Sequence, residues 1–208
     1  MASRALSAGE VTMASALFGA AIDYVKVRIH NRRYLPLQPK NCAMAPNGRL
    51  YFHHSCFRAD FAGGSVHTQR WFMHEMAHVW QHQLGYAVRL RGAVRVGLSY
   101  DYELAPGKTL ADFNMEAQGD LLADYFALRH LDCSASMRQP RYAASLPLYE
   151  EVLAGFLADP ASVANLPRGC GRCLLHLKRL ARRRVWCRIW RTAHCALIGR
   201  QRSRHPRK

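Results

Sequence analysis

The spacing of apolar and polar residues predicts helices over most of the chain and strands only near its start. Four stretches carry apolar residues at helical spacing: residues 7–22, 67–84, 110–130 and 142–158. Ser7 followed by Glu10 has the pattern of a capping box, and Gly85 ends the second stretch as a C-terminal cap. The fourth stretch ends before Pro160.

Two segments ahead of the second helix have the pattern of strands. Residues 24–30 alternate apolar with basic side chains, as in a half-buried strand. The apolar runs 42–45 and 49–53 flank Pro46-Asn47-Gly48, and Asn-Gly between two such runs indicates a hairpin. Because short strands come first and helices follow, we expect an α+β fold with a small antiparallel sheet packed on the helices.

The second predicted helix contains the sequence His74-Glu75-Met76-Ala77-His78. Histidines four residues apart lie on one face of a helix, one turn apart, where both imidazoles can bind a single zinc ion. In metallopeptidases with this motif, the glutamate is the general base that acts on the metal-activated water. The alternatives are a chance match to a short motif and a buried hydrogen-bonded cluster.

The surroundings of the motif favour the metal. Aromatic and apolar residues flank it on nearly every side of the helix, so the helix is expected to be buried. Burying two histidines and a glutamate is costly unless they are paired or bind a metal ion.

A catalytic zinc site needs a third protein ligand and an open position. Glu116, in the first turns of the third predicted helix, is the best candidate, and Asp120 lies one turn later on the same face. Asp120 could accept the free N–H of a ligating histidine. An ordinary solvated helix face is the alternative for both residues. Four further carboxylates are rival ligands: Asp101, Glu103, Asp112 and Asp124.

Other polar residues have weaker claims to a role. Tyr100, Tyr102 and His130 are candidate donors to a developing oxyanion, although a structural role is the simpler interpretation of each. His82 repeats the four-residue step after His78, but its place at the helix end favours a capping or surface role.

HExxH followed by E-x-x-x-D on a later helix resembles the gluzincin metallopeptidases, of which thermolysin is a familiar member. The resemblance implies that His74, His78 and Glu116 bind zinc, that Glu75 is the base and that Asp120 orients His74. It also implies a minimal zincin-like fold, in which the sheet packs on the HExxH helix. An edge strand there would pair with an extended peptide, and residues 42–45 or 50–53 could supply it.

A second resemblance covers most of the chain before its basic end. The sequence is similar to a group of short bacterial proteins described as Vgr-related or Rhs-associated. The similarity implies a link to type VI secretion or polymorphic-toxin systems, and a partner from such a system. It lies in residues 21–30, 43–48 and 74–83, with Tyr100-Asp101-Tyr102 and Asp124-Tyr125-Phe126.

Composition divides the chain in two. The net charge is +16, but 14 of the 30 Lys and Arg residues lie at or beyond Arg168, where there is no acidic residue. The preceding residues carry 16 basic and 14 acidic side chains, which argues against a basic nucleic-acid-binding body. We therefore expect a zincin-like domain over residues 1–166 and a basic Arg/Cys-rich tail over 167–208.

The tail, helical or disordered, has several interpretations. A basic amphipathic helix would contact an anionic membrane or a nucleic acid. Cys170 and Cys173 resemble half of a zinc-binding unit, for which Cys187 and Cys195 are candidate partners. A non-native reading frame without a selected role is the third interpretation.

No signal-peptide pattern or spanning apolar run is present, so the expectation is a cytoplasmic protein, with export that needs no cleaved signal left open. The leading hypothesis is a zinc metallopeptidase that hydrolyses a peptide or protein substrate. One alternative is an inactive zincin-fold module that binds a secretion partner. The other is a protein that acts on membranes or nucleic acid through its tail.

Overall fold

The computed structural model describes residues 3–94 and 98–168, which form an α+β fold, as the sequence predicts. Predictions about the tail beyond Arg168, including its cysteine site, fall outside the described residues. Short 3₁₀ turns connect several of the elements. The strands and helices are β1 (Ser3–Arg4), α1 (Ala8–Phe18), β2 (Ile29–Asn31), β3 (Leu50–Phe52), α2 (Val66–Gln83), α3 (Val88–Val94), α4 (Met115–Leu131) and α5 (Leu146–Ala158).

The sheet has the strand order β1-β2-β3 and is mixed rather than purely antiparallel. β1 is antiparallel to β2, whereas β2 and β3 are parallel, with His30 opposite Tyr51. The parallel pair arises because the chain between these strands travels back before β3 begins. The predicted hairpin is reduced to one antiparallel bridge between Met44 and Tyr51, on the far side of β3.

The strand predicted at residues 24–30 is mostly a turn. Tyr24–Lys26 is a 3₁₀ turn, in which the Lys26 N–H donates to the Asp23 carbonyl and the Val27 N–H to the Tyr24 carbonyl. The Lys26 ammonium also pairs with the Asp23 carboxylate at 2.7 Å. Local bonds therefore occupy the first half of this segment, and strand pairing begins only at β2.

Side-chain caps set the helix starts. At α1 the Ser7 hydroxyl accepts from the Glu10 N–H at 3.0 Å and the Glu10 carboxylate accepts from the Ser7 N–H at 2.8 Å, which confirms the capping box. The helix predicted from residue 110 starts as the 3₁₀ turn Leu110–Asp112. α4 proper begins after Asn114, whose side chain accepts from two backbone N–H groups of the first turn.

Helix α2 lies at the centre of the core. Its Trp80 ring packs on Phe18 of α1 and Phe156 of α5, at centroid distances of 6.1 and 5.3 Å. Its Trp71 ring meets Phe52 of β3 edge-on at 5.1 Å. Burial on several sides explains why the polar residues of this helix are in the interior. None of the helices in the described part of the chain is long and apolar enough to cross a bilayer.

Candidate metal centre

Three predicted ligands converge between α2 and α4. His78 Nε2 lies 3.1 Å from His74 Nε2 and 3.2 Å from Glu116 Oε2, and His74 Nε2 lies 3.5 Å from the same Glu116 oxygen. All three side chains are buried. Their ligand atoms therefore form a compact triangle inside the protein, which is the arrangement of a metal-binding group.

This triangle has the dimensions of three of the four positions in a tetrahedral zinc coordination shell. Bonds of about 2.0–2.1 Å at tetrahedral angles separate ligand atoms by roughly 3.3–3.4 Å, close to the three observed distances. Two imidazole nitrogens and one carboxylate oxygen are also a donor set found in catalytic zinc sites, which keep a fourth position open. The residues present therefore fit a zinc ion.

The ring of His74 is held from behind by Asp120. His74 Nδ1 lies 3.0 Å from Asp120 Oδ1, and the same oxygen accepts from Arg70 at 2.8 Å. Burial disfavours the charged form of His74, but the Asp120 and Glu116 carboxylates outweigh it and raise the pKa of His74 to about 10. In the metal-free protein a proton therefore takes the place of the cation that these carboxylates attract.

A buried ionic network extends behind Asp120. Arg70 bridges to Asp124 at 2.5 Å, and Asp124 also accepts from the Tyr102 hydroxyl at 2.5 Å. The Tyr102 hydroxyl is bonded in turn to that of Tyr149. Burial and the Asp124 carboxylate raise the pKa of Tyr102 far above its usual value, so this tyrosine stays neutral. The network packs α2, α4 and α5 together behind the ligand.

The ring of His78 has a neutral partner. His78 Nδ1 lies 2.8 Å from Gln81 Oε1. Burial would lower the pKa of His78, but the Glu116 carboxylate reverses the effect and raises it. Burial would raise the pKa of Glu116, but His78 and His74 hold it well below its usual value. Both rings thus use Nδ1 for a protein partner and direct Nε2 at Glu116.

Glu75 is buried beside the triangle without belonging to it. Its side chain is 4 % exposed, and within the described residues its Oε2 atom has no hydrogen-bond partner. Burial raises the pKa of Glu75, while the positive charge of His74 and His78 opposes that shift. A buried carboxylate with an unused oxygen and a raised pKa is suited to accept a proton near neutral pH.

Gly119 makes the close approach of α2 and α4 feasible. A Cβ atom at this position would lie 2.8 Å from Cε1 and 2.9 Å from Nδ1 of His74, which is closer than van der Waals contact allows. The missing side chain therefore provides the space that the His74 ring occupies.

The remaining predicted residues have different positions. The ring of Tyr100 stacks near that of His74, at a centroid distance of 6.0 Å. The Tyr102 hydroxyl, by contrast, is bonded to Asp124. Of the two tyrosines predicted as oxyanion donors, Tyr100 is the one whose ring lies beside a predicted ligand. His82 is exposed, and its ring packs against Gly48 in the turn before β3. His130 lies 14 residues after Glu116 on α4, about 21 Å along the helix axis.

The rival carboxylates are engaged elsewhere or exposed. Asp101 pairs with Arg138 at 3.3 Å, and Asp112 caps its own 3₁₀ turn. Asp124 belongs to the Arg70 network, and Glu103 is exposed.

Four buried residues that support the ligands are not assigned by the sequence analysis: Arg70, Gln81, Gln118 and Gly119. Their sequence signal is a polar residue or a glycine in an otherwise apolar helix, three or four residues from a ligand for Arg70, Gln81 and Gly119 but only two for Gln118. That spacing marks the same face of the helix but does not say which partner lies across from it.

Comparisons with known proteins agree with the second resemblance. Over 132 residues the chain is 48 % identical to the type VI secretion system spike protein VgrG2b of Pseudomonas aeruginosa, a match that covers 60 % of this chain and 13 % of the spike protein. The chain thus spans a small part of that relative's length. No family model matches the sequence.

A solved structure gives the more complete match. The effector domain of Pseudomonas aeruginosa VgrG2b aligns with 42 % identity and a TM-score of 0.59, over 73 % of this chain and 84 % of that domain. Sequence and fold therefore agree over most of one whole domain.

Proposed function

The chain belongs to the family of the VgrG2b effector domain, which associates it with type VI secretion, and from this premise and the site's geometry we propose that it is a zinc-dependent peptidase. One observation carries the proposal: the ligand triangle of His74, His78 and Glu116 adjoins a buried Glu75 carboxylate with an unpartnered oxygen. A site that only bound metal for stability would have no use for such a costly carboxylate.

Each residue has one task in the proposed reaction. His74, His78 and Glu116 hold zinc, with both histidines using Nε2. Zinc supplies Lewis-acid chemistry, in that it polarises a carbonyl oxygen and makes water more acidic. Glu75 accepts a proton from the attacking water and passes it to the leaving amide nitrogen. Tyr100, whose ring stacks near that of His74, is the proposed donor to the oxygen that gains negative charge.

The substrate is proposed to bind as an added strand. Both backbone groups of Met44 pair with Tyr51, at 3.2 and 2.9 Å, so those of Ala43 and Ala45 are directed to the opposite edge; because both alanines are buried, a peptide could pair there only after this edge is uncovered. The turn that follows packs on His82, one helical turn beyond the ligand His78. An extended peptide along this edge would therefore run near the metal centre, and backbone pairing accepts many sequences.

The test is hydrolysis of a peptide library, read by mass spectrometry, with zinc stoichiometry measured on the same samples. The wild-type protein should cleave peptides, and E75Q should keep one zinc ion but lose cleavage by at least about a thousandfold, because general base and proton shuttle are both removed. E103Q, which removes an exposed carboxylate, is the matched control and should cleave normally. Zinc-loaded wild type without cleavage, or full activity in E75Q, would contradict the proposal.

A further inference from the structure

A chain of two side-chain amides leads away from His78. Gln81 Oε1 lies 2.8 Å from His78 Nδ1, while Gln81 Nε2 donates to the Met115 carbonyl at 3.1 Å and to Gln118 Oε1 at 2.9 Å. Gln118 Nε2 donates to the carbonyls of Leu110 and Asn165, at 2.8 and 3.0 Å. Both glutamine side chains are fully buried. Four of these five hydrogen bonds thus do not involve the histidine ring.

The far end of this chain sets the direction of every bond in it. Backbone carbonyls only accept, so the Gln118 amino group must face Leu110 and Asn165, and its oxygen must face Gln81. The Gln81 amino group must then point at Gln118 and Met115, which turns its oxygen towards His78. An oxygen at that place requires a proton on His78 Nδ1, so that in the neutral ring the lone pair is on Nε2.

The opposite orientation leaves buried groups unsatisfied. A flipped Gln81 would set its oxygen against the Met115 carbonyl and its amino group against the proton of Nδ1. If Gln118 were flipped as well, its oxygen would face the two backbone carbonyls of Leu110 and Asn165, and those acceptors would have no donor. Buried polar groups without partners are strongly disfavoured, so a single orientation dominates.

We propose that Gln81 and Gln118 form an amide relay that holds His78 in its Nδ1–H tautomer, with the Nε2 lone pair directed at the metal position. Gln81 is then a positioning residue for the ligand, and Gln118 acts through Gln81. This inference rests on the proposed function only in taking the triangle as a zinc site.

The relay differs from the support of the other ligand. His74 is backed by a carboxylate that shares its charge with Arg70, whereas His78 is backed by groups without net charge. The relay therefore orients His78 without adding negative charge to a site that already contains Glu75, Glu116 and Asp120. It also connects the ligand to the 3₁₀ turns at Leu110–Asp112 and Val163–Asn165, far from it in sequence.

The experiment compares three glutamine-to-methionine variants of the full chain, which keep side-chain length but remove the amide. Q81M should weaken zinc binding by about 10–100-fold, the usual effect of losing a histidine's outer partner. Q118M should weaken it less, because Met115 still holds Gln81. Q83M is the matched control on the same helix: it removes two bonds to Asp23 but none to a ligand, and should leave zinc affinity unchanged.

Zinc affinity is measured by competition with a chromophoric chelator, and ring protonation by NMR of protein labelled with ¹⁵N-histidine. Zinc-loaded wild type should have a slowly exchanging proton on His78 Nδ1, and Q81M should lose that protection. Wild-type affinity in Q81M, a proton on Nε2 of His78 in the zinc-loaded wild type, or equal losses in Q81M and Q83M would overturn the relay.

Two controls separate this proposal from other failures. Circular dichroism of the zinc-free variants shows whether they fold, and if Q81M does not, the comparison of Q118M with Q83M decides the question. A wild type that binds zinc without cleaving peptides defeats the proposed function and leaves the relay test intact. A wild type that binds no zinc defeats the proposed function, while the His78 tautomer of the metal-free protein, observed at a pH high enough to make the ring neutral, still decides the relay.

Discussion

At the scale of single residues, the candidate site has more buried carboxylates than positive charges, an imbalance that a bound cation would reduce. Three buried carboxylates, Glu75, Glu116 and Asp120, surround two imidazoles, with Arg70 on one side only. In the metal-free protein these carboxylates outweigh burial and raise the pKa of His74 to about 10, and they raise that of His78 as well, so protons compete with a metal ion for the imidazoles. A metal ion must displace those protons, because a protonated nitrogen cannot bind it.

Zinc affinity should therefore depend on pH. Since the pKa of His74 is raised above neutrality, its ring is protonated at pH 7, and zinc binding should release about one proton or more. The dissociation constant should fall as pH rises from about 6 to 9. Calorimetry in two buffers with different heats of ionisation measures the released protons. Zinc binding that releases none and is independent of pH would contradict the charge balance described above.

The free energy of unfolding of the metal-free protein should depend on the same groups, but it should decrease as pH rises, whereas zinc affinity increases. The raised pKa of His74 stabilises the folded state below its unfolded pKa of about 6.5, and that contribution is lost as pH rises towards 10. Zinc-loaded protein should not lose stability over this interval, because the metal has replaced the proton. Thermal unfolding of the two forms from pH 7 to 10 gives the comparison.

At the scale of elements, the site depends on how closely α2 and α4 approach each other. Gly119 lies against the ring of His74, and the added methyl of G119A would press on Cε1 and Nδ1. We expect G119A to weaken zinc binding by about tenfold or more, since the ring and its bond to Asp120 must shift.

The matched control is G155A on α5, where the nearest atom to the new Cβ is 3.7 Å away. This variant should keep zinc affinity and gain up to about 1 kcal/mol of unfolding free energy from better helix propensity. Chelator competition and thermal unfolding measure both effects. Equal zinc affinity in G119A and wild type would mean that the helices can separate without cost to the site.

The sequence predicted those elements that depend on interactions between residues close together in the chain. The Ser7–Glu10 capping box, the four long helices and the α+β class follow from contacts within a few residues. The prediction failed where two local patterns compete, as in residues 24–30, whose alternation also suits a turn closed by Asp23 and Lys26. The sequence analysis predicted an antiparallel sheet and missed the parallel pairing of β2 with β3. The long connection between these two strands has no periodic pattern that indicates their relative direction.

At the scale of the whole molecule, the ligands and the partners described for them lie between Arg70 and Asn165, whose carbonyl accepts from Gln118. Arg168 follows, and its N–H donates to the Ala111 carbonyl while its guanidinium pairs with Asp112. The strongly basic part of the sequence follows almost directly.

Removing residues 169–208 should therefore leave zinc stoichiometry and the unfolding temperature unchanged. A second truncation after residue 161 should weaken zinc binding, because it removes the Asn165 carbonyl that orients Gln118 and the amide that Asn165 donates to Asp159. Metal analysis and thermal unfolding of the two truncated proteins provide the measurement. Loss of zinc from the longer protein would place part of the site in the basic tail.

The sequence by itself determined the pair of histidines, the glutamate between them and the helix that carries them. These follow from the 3.6-residue period, which places residues four apart on one face whatever the rest of the chain does. It also indicated Glu116 and Asp120, because the order of such motifs is shared by proteins with this type of site. The kinship with type VI secretion proteins was likewise readable from the sequence.

Only the tertiary structure decided which partners meet across the helices. It brought Glu116 to the Nε2 atoms of His74 and His78, and it joined Arg70 to two aspartates and Gln81 to Gln118. These pairs are separated by 37 to 54 residues, and nothing in a local pattern specifies the packing that unites them. Because metal binding requires positions correct to a fraction of an ångström, that packing, including the space left by Gly119, makes the motif a site.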